Sequence, residues 1–66
     1  MLTKKQIQNI ASEATLAINI SDSDLLEFCI LANDSYRRGN PIVTDENYDF
    51  IFIPELQKRL PNHPFL

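Results

Sequence analysis

Apolar residues recur every three to four positions in three stretches of the chain, which is the spacing of a helix with one buried face. The first stretch follows Thr3, which with Gln6 fits a capping box. Helix 1 is therefore predicted over about 4–17. Its apolar stripe consists of Ile7, Ile10, Ala11, Ala14 and either Ala17 or Ile18.

The second stretch has clear start and stop signals and is predicted to be a helix over about 24–38. Ser21 or Ser23 can cap its first amides. Gly39, the only glycine, stands where a left-handed residue would end the helix, behind the basic pair 37–38. Its apolar face consists of Leu25, Phe28, Cys29, Ala32 and Tyr36, with Ile30 or Leu31 beside it.

The third stretch is predicted to be a helix over about 45–60, capped by Thr44 and kinked at Pro54, which lacks an amide hydrogen and clashes with the preceding turn. The run Phe50-Ile51-Phe52-Ile53 is longer than one core-facing stripe uses. We therefore expect part of it to be exposed to solvent in the isolated chain or to be buried by a partner protein, through Phe50, Phe52 or Ile53. Together the three stretches predict an all-α fold, a small bundle of three helices.

Composition narrows the class of protein. The chain has 66 residues and 44% hydrophobic residues, which suits one small globular domain. Its net charge of −3 argues against direct nucleic-acid binding, and no apolar run is long enough for a membrane span. Cys29, the single cysteine, is expected to be a core residue in a reducing cytoplasm.

Two acidic residues, Asp22 and Asp24, precede helix 2 and have two interpretations. They can favour the positive end of the helix, or they can bind a cation. The second alternative lacks a glycine turn and a distal glutamate, so the first is preferred and no metal site is predicted.

The start of helix 3 carries the candidate chemistry. Asp45 and Asp49 are four residues apart on one helical face, with Tyr48 beside them, and a turn at Gly39 can bring Tyr36 to the same place. Two carboxylates and two phenol rings suit a flat cation such as an oxidised nicotinamide ring, and Arg37 can meet a phosphate. The alternative is that these residues only cap a helix and fill the core.

Several motifs together resemble the N-terminal segment, subdomain Ia, of bacterial NAD-dependent DNA ligases. They are Ala32-Asn33, Tyr36, Pro41, Asp45-Glu46-Asn47-Tyr48-Asp49, Glu55-Leu56 and His63-Pro64. The resemblance implies that residues 1–66 form one helical domain, with 24–66 carrying the motifs and 1–20 an extension. It further implies binding of the nicotinamide mononucleotide (NMN) half of NAD. The implied contacts are Tyr36, Asp45, Tyr48 and Asp49, with Arg37 at a position where the family has histidine or tyrosine.

The sequence also departs from the family pattern. The turn from Tyr36 to Pro41 is one residue shorter than usual, and one extra residue stands between Asp49 and Glu55. No lysine begins a Lys-x-Asp-Gly signature, so no catalytic residue is predicted in this chain. We expect either a ligase fragment, working with a separate adenylation domain, or a free-standing relative. The second hypothesis is an interaction module that keeps the fold without the ligand.

Overall fold

A computed structural model describes residues 2–66 of the chain. The regular secondary structure in this range is all helical, and no strand occurs in it. They are α1 (Lys4–Ser12), a 3₁₀ turn (Ala14–Ile18), α2 (Asp22–Arg37), and a third helix built from α3 (Asp45–Asn47), a π turn (Tyr48–Phe52) and α4 (Ile53–Arg59). The predicted all-α bundle of three helices is confirmed. Every helix in this range is too short or too polar to cross a membrane.

Helix α1 begins as predicted and ends early. Thr3 Oγ1 accepts a hydrogen bond from the Gln6 amide at 3.1 Å, and Gln6 Oε1 accepts one from the Thr3 amide at 2.8 Å, which completes the capping box. The predicted end at residue 17 was wrong, because the backbone at Glu13 (φ −126°, ψ 84°) leaves the helical region. The chain then tightens into the 3₁₀ turn.

The side chain of Arg59 explains why this tighter turn is stable. Its guanidinium donates to two backbone carbonyl oxygens at the end of the 3₁₀ turn and to a third two residues after it. These oxygens belong to Ala17 (3.2 Å), Ile18 (2.9 Å) and Ile20 (2.6 Å). The apolar stripe of helix 1 was predicted to include either Ala17 or Ile18, and the structure selects Ala17, which is buried while Ile18 is exposed.

Helix α2 is bounded by the residues that the sequence singled out, with a small shift. Ser21 rather than Ser23 is the cap, since its Oγ accepts from the Asp24 amide at 3.2 Å, so the helix starts two residues before the predicted position. At the other end Gly39 adopts φ 78°, a conformation that residues with a Cβ rarely adopt. The predicted end of this helix is confirmed to within one residue.

The third helix passes Pro54 without stopping. The preceding turn widens to a π turn, in which the Ile53 amide donates to the Tyr48 carbonyl five residues back. A proline in a regular helix would place its ring against the carbonyl of residue 50, and the wider turn relieves that clash. A π turn thus stands next to the position where the kink was predicted, and Pro54 lies in the first turn of α4.

The core lies where α2 crosses the third helix. The rings of Phe28 and Phe52 pack with centroids 4.7 Å apart, and Leu25, Cys29 and Leu56 are fully buried around them. Cys29 is thus a core residue, as predicted.

The prediction that Phe52 contacts a partner protein was wrong. The π turn directs its ring inward against α2, where it is fully buried. Phe50, two residues earlier, keeps 77% of its surface exposed, and Ile53 is half-buried. Only these two members of the predicted contact set retain surface that a partner could reach.

Candidate functional site

A pocket of about 250 Å³ opens between α2 and the start of the third helix. We call it the tyrosine pocket. Its lining comprises Ala32, Asn33, Tyr36, Val43, Asp45, Tyr48 and Asp49. Four of the five residues that the sequence nominated for ligand contact therefore meet in one cavity. The fifth, Arg37, is not among its lining residues.

Local backbone chemistry places the two halves of this pocket. Gly39 ends α2 one turn after Tyr36, so the chain can reverse direction. Thr44 then caps the third helix, its Oγ1 accepting from the Asn47 amide at 3.2 Å. The helix start is thereby set, and Asp45 and Asp49 follow one turn apart on the side that faces the pocket.

Tyr48 forms an inner wall of the tyrosine pocket. Its hydroxyl donates to the Cys29 carbonyl oxygen of α2 at 3.4 Å, a long and weak hydrogen bond. Burial is the main cause that raises the pKa of the Tyr48 hydroxyl above its ordinary value, and the negative charge of the Asp49 carboxylate adds to the rise. The side chain is therefore a neutral phenol near pH 7. Because its hydroxyl points toward α2, it offers its ring to a ligand.

Burial within the tyrosine pocket increases from its rim to its floor. Tyr36 is 59% exposed, and Asp45 and Asp49 are also exposed, so the ring and both carboxylates form the rim. Asn33 is half-buried, and Ala32 forms the buried floor. A flat cation entering such a site meets electron-rich ring faces and carboxylate oxygens, which are the groups that stabilise positive charge.

Three lining residues were missed as site residues. Ala32 and Asn33 precede Tyr36 by four and three positions, so they share its helical face, and this spacing could have nominated them. Val43 gave no local signal. It reaches the pocket only because of the path that the chain takes after Gly39, which depends on tertiary packing.

The fifth nominated residue, Arg37, and the motif residue His63 lie outside the tyrosine pocket. Arg37 is exposed at the end of α2 and is not among the lining residues, so its contact with a phosphate stays a prediction. His63, considered earlier only as part of the His-Pro motif, holds a turn: its Nδ1 accepts from the Phe65 amide at 3.0 Å.

A second groove, of about 420 Å³, lies between α1 and α2 and is lined mainly by apolar side chains. Glu27 is its one carboxylate, and its Oε2 already accepts from the Leu2 amide at 2.7 Å. The tyrosine pocket is the better candidate for a charged ligand, because it gathers two carboxylates, an amide and two phenol rings.

Comparison with known proteins finds sequence similarity between this chain and DNA ligases. A DNA ligase from Desulfotalea psychrophila is 46% identical over 63 residues, which is 96% of this chain and 9% of that protein. A DNA ligase from Vesicomyosocius okutanii is 39% identical over 64 residues, which is 97% of this chain and 10% of that protein. The chain is homologous to a segment of DNA ligases.

This homology confirms the resemblance to DNA ligases that the motifs indicated. A third relative, the DNA ligase of Ruthia magnifica, is 46% identical over 44 residues. The chain spans about a tenth of the length of the first two relatives, so the activity of a whole ligase does not follow for it. No protein-family model matches the chain, and neither does any solved structure.

Proposed function

We propose that this chain binds the NMN half of NAD in the tyrosine pocket, as the nucleotide-positioning part of a DNA-ligase type of protein. The observation that carries the proposal is that Tyr36, Asp45, Tyr48 and Asp49 line one cavity. Their sequence spacing suggested a site for a flat cation, and homology to DNA ligases supports the resemblance to the NAD-dependent ligases on which the choice of NMN rests.

The size of the tyrosine pocket supports binding of one ring system. Its volume of about 250 Å³ is below the roughly 300–1,000 Å³ of sites that enclose a drug-sized ligand. A whole dinucleotide therefore extends beyond it. This agrees with a division of labour in which the present chain holds the nicotinamide end and another domain holds the adenylate.

The residues have distinct roles in this proposal. The face of Tyr48 stacks on the pyridinium ring, and Tyr36 covers it from the rim. Asp45 and Asp49 balance the positive charge of the ring, and one of them accepts a hydrogen bond from its amide group. When bound, NAD would supply the adenylyl group that a lysine in a separate domain accepts. By holding the leaving half still, the chain orients the pyrophosphate for that attack.

NMR titration of the chain with NMN tests the proposal directly. We expect backbone amide shifts to change with saturation at Tyr36, Asp45, Tyr48 and Asp49 by millimolar NMN, while amides of α1 stay unchanged. A chain whose spectrum does not respond to millimolar NMN or NAD would contradict binding by this domain.

A pair of charge-matched variants separates contact from general electrostatics. Asp49→Asn removes a carboxylate from the pocket rim. Asp34→Asn removes a carboxylate outside the pocket, where Asp34 forms a surface ion pair with Arg38 at 3.1 Å. We expect Asp49→Asn to weaken NMN binding about tenfold, since hydrogen bonds to charged groups contribute about 1.5–3 kcal/mol before solvent competition. Asp34→Asn should bind as the unchanged chain does. Equal losses in the two variants would mean that only net charge matters.

A second candidate function is protein–protein interaction without a ligand, and exposed Phe50 favours it. An aromatic ring with 77% of its surface in solvent, beside half-buried Ile53, is a contact point for a partner such as an adenylation domain. Sedimentation of the chain over a wide concentration range tests self-association. If the chain stays monomeric and Phe50→Ser changes neither NMN binding nor capture of a ligase adenylation domain, this second function is excluded.

A further inference from the structure

Asn33 is the lining residue of the tyrosine pocket whose chemistry the proposed contacts leave unused. It lies on α2 one turn before Tyr36 and is half-buried, deeper than the exposed carboxylates of the rim. Within residues 2–66 its side chain makes no hydrogen bond. Its amide therefore offers both a donor and an acceptor to whatever enters the pocket.

The other polar groups of the tyrosine pocket cannot supply this combination at that depth. Asp45 and Asp49 only accept hydrogen bonds when ionised. The hydroxyl of Tyr48 is directed to the Cys29 carbonyl, and Tyr36 stands at the rim. Asn33 is thus the inner group that can donate to an oxygen and accept from an N–H at the same time.

A primary amide recognises another primary amide through two antiparallel hydrogen bonds. The Asn33 Nδ2 group donates to the carbonyl oxygen of a ring carboxamide, and its Oδ1 accepts from the carboxamide NH₂. A carboxylate in the same position can accept a hydrogen bond from Nδ2. Its second oxygen then faces Oδ1, and because neither oxygen carries a hydrogen, no second hydrogen bond forms. The ligand carboxylate is also repelled by the two carboxylates of the rim.

We propose that Asn33 is a specificity-determining residue, which selects a pyridinium ring carrying a carboxamide over one carrying a carboxylate. In terms of ligands, the pocket distinguishes NMN from nicotinic acid mononucleotide, which differ only in that substituent. This role rests on the proposed binding of NMN and adds to it the discrimination between two related nucleotides.

The test measures the dissociation constants of NMN and nicotinic acid mononucleotide for three proteins: the unchanged chain, Asn33→Ala and Asn9→Ala. Asn9 is an exposed asparagine within α1, outside the tyrosine pocket, so both substitutions make the same chemical change in a helix. Alanine is the better helix former, so both variants are expected to fold, which circular dichroism checks.

We expect the unchanged chain and Asn9→Ala to prefer NMN to the same degree. In Asn33→Ala the preference should fall by about three- to tenfold, the range expected when one net hydrogen bond is lost from a partly solvated site. A purely structural role of Asn33 would weaken both nucleotides equally and leave their ratio unchanged, so that result would overturn the assignment.

The outcomes also distinguish this inference from the proposed function. If the unchanged chain binds NMN and shows no preference, or Asn33→Ala keeps the full preference, the role of Asn33 is refuted while nicotinamide binding stands. If the unchanged chain binds neither nucleotide, the proposed function itself fails and the role of Asn33 fails with it.

Discussion

Cys29 and Tyr48 meet at the junction between the core and the tyrosine pocket. Cys29 is fully buried, and burial raises the pKa of its thiol to about 12 from an ordinary value of 9.0. Its carbonyl accepts the hydroxyl hydrogen of Tyr48, whose own pKa is raised mainly by burial. Both side chains therefore stay neutral at physiological pH. Cys29 contributes volume to the core, Tyr48 contributes a ring face to the pocket, and neither contributes charge.

This burial predicts a loss of stability in alkaline solution. Above pH 9 the thiol of the unfolded chain ionises, whereas the folded thiol stays protonated up to about pH 12. The folded state then binds more protons, so the unfolding free energy falls by up to about 1.4 kcal/mol per pH unit in that interval. Urea denaturation from pH 7 to 11 measures this slope.

The variant Cys29→Ala isolates the thiol in that experiment. We expect it to be less stable than the unchanged chain at pH 7, because it leaves a small cavity, and to lose less stability above pH 9. The two curves should converge as the pH rises. Parallel curves would show that the thiol does not cause the alkaline loss.

The third helix shows how one element assigns different roles to adjacent aromatic residues. The segment 50–53 has four apolar residues in a row, more than a regular helix can bury on one face. The π turn sends Phe52 into the core and leaves Phe50 in solvent. The same turn relieves the clash that Pro54 would make in a regular helix.

A matched pair of substitutions tests this assignment. Phe52→Leu removes ring volume from the contact with Phe28, so we expect a loss of roughly 1–2 kcal/mol in unfolding free energy. Phe50→Leu changes an exposed ring and should stay within about 0.5 kcal/mol of the unchanged chain. Thermal and urea unfolding measure both. Similar losses from the two variants would mean that Phe50 is also buried in solution.

At the scale of the whole molecule, Arg59 connects the two ends of the bundle. Its side chain is 16% exposed, and it joins the end of the 3₁₀ turn to Glu55 (2.9 Å) and Asp22 (3.2 Å). Asp22 thus has a partner at the start of α2, in keeping with the interpretation of this acidic pair as part of the helix start. The network holds the third helix, and with it one wall of the tyrosine pocket, against the N-terminal half.

Arg59→Gln is therefore expected to lower the unfolding free energy by about 2–4 kcal/mol, because it removes donors from carbonyl oxygens and leaves the largely buried carboxylate of Glu55 without its cation. Arg38→Gln is the matched control. Arg38 pairs with Asp34 in solvent, and such surface pairs contribute roughly 0–1 kcal/mol. Urea unfolding of both variants measures these losses of unfolding free energy. Equal losses would contradict a structural role specific to Arg59.

Much of this molecule follows from local sequence rules. Thr3, Ser21 and Thr44 cap helices, and Gly39 ends one, because each acts on backbone groups no more than a few residues away. The four nominated pocket residues followed from helical spacing together with the ligase-like motif. The contacts that Arg59 makes with the end of the 3₁₀ turn did not, since Arg59 lies more than forty residues after Ala17 and Ile18 in the chain.

By itself, the sequence determined that this protein is a three-helix bundle with two carboxylates and two tyrosines near one corner, because helical periodicity and capping are local. Tertiary structure alone decided which of Phe50 and Phe52 enters the core, which way the Tyr48 hydroxyl points, and that Val43 joins the tyrosine pocket. These outcomes depend on how α2 crosses the third helix. That crossing is set by packing of residues far apart in the chain, where no local rule applies.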